Sequence, residues 1–538
     1  MTLRRPGALT REALFAAGAA ASLTAILLWA GPPGNDLAAH LYQRTLFLRH
    51  GFVLWNNFWY AGRYSFVTYS VLYYPLSALL GIKLLGLVSI TAGALAFAVV
   101  VGLEWGRAAR WSSRTFAVAW AGTALSAAFP FALGAALALL AIWALQEGRR
   151  WRFAVLALLT FAASPLAFLF LALVLLGVAI ARRPPRAELV LPALVIGAAT
   201  TVELALKRLF PDGGTFPFRT NQLIPAVIFC ALGAMMTRAP RARPLLGLFV
   251  VYLVACVVFF VVPTDLGANV ERFRYAAIPL ALLAVSVAAW RPLAIAVPLL
   301  TIAAIWNVQP LIANYRHAAA DTAAKQSYWQ PAVGYLHEHL TPSYRVEAVD
   351  TLEHWAAVYL PEAGVPIVRG WYRQNDFPAN AVLYDDDLGP ATYRRWLRSE
   401  GVRYVVLSDA PPDYSSRAET ALLVSGASGL RVVFHTPHLV VYELPHPTPV
   451  ITGPGRAKVV SLSETQLFFR VPAAGRYHVA VRFSPYWQTL QGCVAKAPDG
   501  MTSLTAFRPG RVALDFKVNV HRGLEALTGL EPARFCHR

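Results

Sequence analysis

Two polar residues stand one helical turn apart just beyond the first long apolar run of the chain. In GNDLAAHLYQRTLFLRHGF, residues 34–52, Asp36 and His40 are related as i and i+4 and so share one helical face. Leu37, Leu41 and Leu48 fall on a roughly opposing stripe. This pattern predicts an amphipathic helix along a membrane interface, with its acidic residue at the electropositive N-terminal end. A plain N-cap accounts for Asp36 equally well. The aromatic stretch that follows includes Trp55, Trp59 and Tyr60, rings that either form an interfacial belt or stack on sugars. Much later, EHWAAVYLPEAGVPIVRGWYRQNDFPAN gathers His354, Trp355, Arg369, Trp371 and Gln374. Such a set can bind carbohydrate through aromatic faces, amides and guanidinia, or it can be core tryptophan with a buried Arg–Glu network.

Metal chemistry has less support. Asp385 and Asp387 in YDDDLG have a D-x-D spacing that a divalent cation can use, but the spacing is common and reads as a loop or helix start. The histidines of HEHL and EHW lack zinc-ligand partners at recognisable spacing. No cofactor is expected, with a divalent cation left open.

The elements that position these residues are membrane helices. With 57% hydrophobic residues, 14% charged residues and a mean hydropathy of +0.48, the chain reads as an integral membrane protein. A formal charge of +19 does not imply nucleic acid, because the arginines cluster in short turns between apolar runs. About eleven spans are expected between residues 12 and 311. Arginine clusters near 4–11, 107–114, 149–152, 182–186, 238–243 and at 291 put the N-terminus in the cytoplasm. Pro130 and Pro165 each open a helix where no backbone donor is needed.

An odd number of spans places residues 312–538 outside the cytoplasm. The expected domains are therefore a transmembrane domain at 1–311, with a first extracytoplasmic loop at 32–74, an α/β domain at 312–445 and a β-rich, sandwich-like domain at 446–538. In an exported domain Cys493 and Cys536 can form a disulfide. Arginine-rich, alanine-rich composition suggests a bacterial plasma-membrane protein. Glu203 and Lys207, i and i+4 within one span, read as functional suspects or as a self-neutralising interfacial pair.

This order of a first span, a GND-bearing loop, interfacial helices and the Pro-led YYPLSALLGIKLLG resembles the GT-C class of membrane glycosyltransferases, most closely over residues 12–110. RFRYAAIPLALL at 272–283 is similar to the Arg-Tyr opening of a late helix in that class. The resemblance implies a polyprenyl-phosphate-linked sugar donor and transfer with inversion to an envelope glycan or glycolipid. It also implies Asp36 as general base, with Arg272 and Arg274 on the donor phosphate and His40 assisting there. The alternative for the arginines is an interface anchor paired with Glu271 or Asp265. Many members carry two adjacent acidic residues in the first loop, whereas Asn35 precedes Asp36 here. Rival readings are a non-catalytic envelope-assembly scaffold of the same architecture and, more remotely, a transporter, whose ionisable groups belong at the bilayer midplane rather than at the outer edge.

Overall fold

The computed structural model describes residues 6–377 and 379–528. They form two compact units, neither continuous in sequence. Among the described residues the first comprises 6–37, 69–204 and 215–320, and the second comprises 38–68, 205–214 and the chain from 321 to 528. The segments 38–68 and 205–214, expected within the transmembrane domain, thus belong to the second unit.

The first unit is helical. Helices fill most of residues 12–311, where about eleven spans are expected. Seven helical segments among the described residues are long and apolar enough to cross a membrane. The helices Arg150–Ala163 and Ala277–Val287, of 14 and 11 residues, rise only about 16–21 Å at 1.5 Å per residue, short of a hydrocarbon layer about 30 Å thick. Local sequence explains the starts. Pro165 occupies the first turn of Pro165–Arg182, and Ser164 caps that helix by accepting from the Ala167 amide at 3.2 Å. Large apolar side chains such as Leu14, Ile26, Leu194 and Val254 remain exposed, as helices facing lipid require.

The second unit combines an α/β part with a β-sandwich. In the former, Arg345–Ala348 pairs in parallel with Val402–Ser408, which continues antiparallel to Leu439–Glu443 and on to Arg431–His435. The segment VPIVRG adds a bridge from Ile367 to Val346. The sandwich has two four-stranded sheets. In Gly475–Arg482 the side chains of Tyr477, Val479 and Val481 point to one face and are buried, and the small Ala480 between them is buried as well.

Its core is completed by residues from far upstream. Trp55 and Tyr64, on a two-stranded ribbon, and Phe210 join Trp487, Leu467 and Phe469 in one cluster. The Leu37–His50 helix is fastened within this unit by Thr45, which donates to Glu362 at 2.6 Å, and by Arg49 and His50, which reach Glu464 at 3.1 and 2.8 Å.

Candidate active site

Asp36 is the penultimate residue of the first stretch of the helical unit, immediately before the Leu37–His50 helix. Its amide donates to the Ser126 carbonyl at 2.9 Å. Gly34 makes that approach feasible, since a Cβ there would lie 2.6 Å from the Ala127 nitrogen and 2.8 Å from the Ala124 oxygen. Ser126 is itself held by Tyr275, whose hydroxyl lies 2.8 Å from Ser126 Oγ. The backbone before the helix is therefore fixed at both its glycine and its aspartate.

Opposite it runs a ten-residue 3₁₀ helix, Gly267–Ala276, long for a conformation usually confined to three or four residues. Side chains from several helices hold it. Tyr252 donates to the Val270 carbonyl at 3.0 Å, and Asn307 donates to the Arg274 carbonyl at 2.8 Å. Glu271 is the principal anchor: it accepts from Gln222 at 3.0 Å and Trp306 at 3.1 Å, and pairs with Arg274 at 3.3 Å.

This clamping leaves Arg272 facing Asp36. Arg272 Nη2 donates to Asp36 Oδ2 at 2.8 Å, and the two side chains retain 17% and 13% of their exposure. Arg272 Nε donates to Asn269 at 3.3 Å, and the guanidinium lies 5.9 Å from the Phe131 ring. Its Nη1 has no protein acceptor among the described residues. Burial opposes the charge on Arg272, but Asp36, with Tyr69 and Tyr275, holds its pKa above the ordinary guanidinium value. The arrangement can place a base beside a cation that still has a donor to offer.

The remaining expected residues are distributed otherwise. Arg274 does not join Asp36; Glu271 neutralises it, as the anchor alternative anticipated. His40, in the second unit, is fully buried, so it offers no surface to a lipid phosphate. Trp55, Trp59 and Tyr60 are also buried and form no open sugar-facing wall. The Trp55 ring packs 5.1 Å from Phe516 and 5.3 Å from Trp487, and its indole N–H donates to Asn57 at 2.8 Å. Trp59 donates to the Ala357 carbonyl at 3.0 Å and packs 4.6 Å from Tyr42. With faces and N–H groups committed internally, these two rings are core.

Much of the later cluster is core as well. Arg369, 2% exposed, donates to Asp376 and Ser415 at 2.9 and 2.8 Å, with Glu419 at 3.9 Å. Burial opposes its charge, yet Asp376 and Asp350 keep its pKa raised. His354 contacts Asp350 at 2.6 Å and is buried, as is Trp355. Trp371 and Gln374 are partly exposed. Asp385 accepts from the Asp387 amide at 3.1 Å in a turn, and among the described residues no group of three or more His, Cys, Asp or Glu side chains is arranged to hold a metal. Cys493 lies on the strand Gly492–Lys496, while Cys536, its expected partner, lies outside the described residues.

Sequence reasoning missed the anchors Gln222, Trp306 and Asn307. Their signal was available: Trp306 and Asn307 interrupt an apolar span, where polar groups need internal partners.

No family model and no curated protein matches the sequence. Among solved structures, the chain aligns with the arabinofuranosyltransferase AftD from Mycobacteria at 17% identity and a TM-score of 0.49, over 88% of this chain and 42% of that one. It also aligns with ArnT from Cupriavidus metallidurans bound to undecaprenyl phosphate, at 14% identity and a TM-score of 0.37, over 80% and 98%. The chain thus spans less than half the length of the AftD structure.

Proposed function

We propose that the chain is a membrane glycosyltransferase of the GT-C class, moving a sugar from a polyprenyl-phosphate donor to an extracytoplasmic envelope glycan or glycolipid. The observation that carries the reading is the Asp36–Arg272 pair, 2.8 Å apart and partly accessible. In the reaction the acceptor oxygen attacks the anomeric carbon while its proton passes to the Asp36 carboxylate. The bond from that carbon to the phosphate oxygen breaks. The departing lipid phosphate gains a negative charge, and Arg272 answers it through its uncommitted Nη1. A single displacement of this kind inverts the sugar. Positive-inside turns support an extracytoplasmic location for this chemistry.

Charge balance favours a second reading. Asp36 neutralises Arg272, and Glu271 neutralises Arg274, as in a non-catalytic assembly protein whose ion pairs only hold helices together. Asp36→Asn in the producing bacterium, with envelope-glycan analysis beside a deletion strain, separates the two. A glycan defect matching the deletion supports transfer. A normal glycan beside an altered deletion strain would support the assembly role.

A further inference from the structure

In the sandwich, Lys458–Leu462, Gln466–Val471 and Gly510–Phe516 are adjacent strands of one sheet. Their register sets Lys458 opposite Arg470, and Arg470 opposite Arg511. All three side chains are exposed. Like charges placed directly across a ladder repel, and here three stand in one row. Arg456 precedes the first of these strands and Arg508 the last, which adds two exposed cations at the same end. None of the five has an ion-pair partner among the described residues. By contrast, the exposed Arg431 is paired with Glu443 at 2.5 Å, an acceptor it shares with the half-buried Arg403 at 3.1 Å. The nearest acid on the row's own strand, Asp515, stands four residues from Arg511, about 13 Å at 3.3 Å per residue, and faces Lys517 at 3.4 Å.

A cleft of about 540 Å³ opens beside the row, with Arg456 and Lys458 in its wall. Thr341, Ser343, Tyr344 and Thr452 also line it. Their hydroxyls have no hydrogen-bond partner among the described residues. A concave wall of uncommitted hydroxyls with one aromatic ring suits a discrete sugar unit better than a flat bilayer, and the cation row suits anionic groups repeated along a chain.

We propose that this end of the sandwich binds a polyanionic glycan, its carboxylates or phosphates on the Lys458–Arg470–Arg511 row and a sugar unit against Tyr344. The site stands independently of the transfer reaction, and its test reads binding alone. Full-length protein in neutral detergent is titrated with hexagalacturonate, with maltohexaose of equal length and with a short poly(glycerol phosphate).

Hexagalacturonate should bind at least 10-fold more tightly than maltohexaose and weaken as salt is added. Tighter binding of the phosphate chain, which carries no sugar ring, than of the uronate would overturn the sugar contact at Tyr344 and leave the row as a phosphate site. Arg470→Gln should weaken the anionic ligand at least 5-fold while the thermal midpoint holds or rises, because two like-charge contacts are relieved. Equal binding of neutral and anionic chains, or an Arg470→Gln protein that binds normally, would overturn the proposal. So would binding to phosphatidylglycerol vesicles without binding to any soluble glycan, which would make the patch a membrane contact.

Discussion

Exchanging the partners of the central ion pair separates catalysis from architecture. Fully buried pairs lose about 3–5 kcal/mol when one member is removed, and exposed pairs about 0–1 kcal/mol. Asp36 and Arg272, at 13% and 17% exposure and 2.8 Å apart, lie between these limits, so Asp36→Asn or Arg272→Gln alone should cost about 2 kcal/mol. The double exchange Asp36→Arg with Arg272→Asp restores opposite charges across the same gap and should recover much of that loss in a thermal-shift measurement on detergent-purified protein. It does not restore chemistry, since the base then sits on the 3₁₀ helix and the cation on the first loop.

General bases contribute about 10²–10⁴-fold, or roughly 3–5 kcal/mol of barrier. Envelope-glycan content in a strain expressing only the exchanged protein, at matched protein level, should therefore fall to that of the deletion. A refolded, stable exchange variant that sustains normal glycan would refute Asp36 as base and leave the pair as a structural latch. Asp36→Asn supplies the same functional readout should the larger arginine fail to pack at position 36.

Other consequences follow from particular contacts. Glu271→Ala leaves Gln222, Trp306 and Arg274 without their shared acceptor; with each stranded buried group costing about 1–3 kcal/mol, thermal stability should drop well beyond that of Asp36→Asn, and Glu271→Gln should recover part of it. Trp55→Ala should cost about 3–5 kcal/mol by emptying core space, seen as a lower midpoint for the second unit, whereas a ring serving only as a sugar platform would leave the midpoint unchanged. Burial pushes the Glu419 carboxyl from 4.5 up to about 7, so the folded protein retains a proton that the unfolded chain has released. Its contribution to stability is therefore present below about pH 4.5 and is lost as pH rises through about 7; Glu419→Gln should flatten that part of a melting-temperature profile, and an unchanged slope would contradict the assignment.

Some of this was legible in the residues themselves and some could not have been. Apolar runs and the starts at Pro130 and Pro165 depend on local chemistry, and helices begin at Phe129 and Pro165. The sequence singled out Asp36 and Arg272, although they are separated by 236 positions; what it lacked was the set of anchors that turns the 3₁₀ helix. Trp55 and Trp59 misled because an exposed interfacial ring and a core ring look alike in one dimension. Their burial is decided by partners such as Trp487 and Ala357 that no local pattern announces. The same holds for Arg369, whose acidic neighbours come from several separate segments.

The discontinuous second unit also dictates an order of events during synthesis. Tyr64 hydrogen-bonds with Ser484, a residue 420 positions later, and Trp55 shares a core cluster with Trp487. The early segment leaves the ribosome long before its sandwich partners exist, so its aromatic side chains wait for their core until the strands around Trp487 have been made. A message truncated after the last membrane helix would yield spans that insert normally, together with an orphaned aromatic segment, a marker by which quality control can recognise unfinished copies. Conversely, residues 321–538 produced alone would lack Trp55, Tyr64 and Phe210 from their core, and co-expression with the upstream part is the route by which that core can be completed.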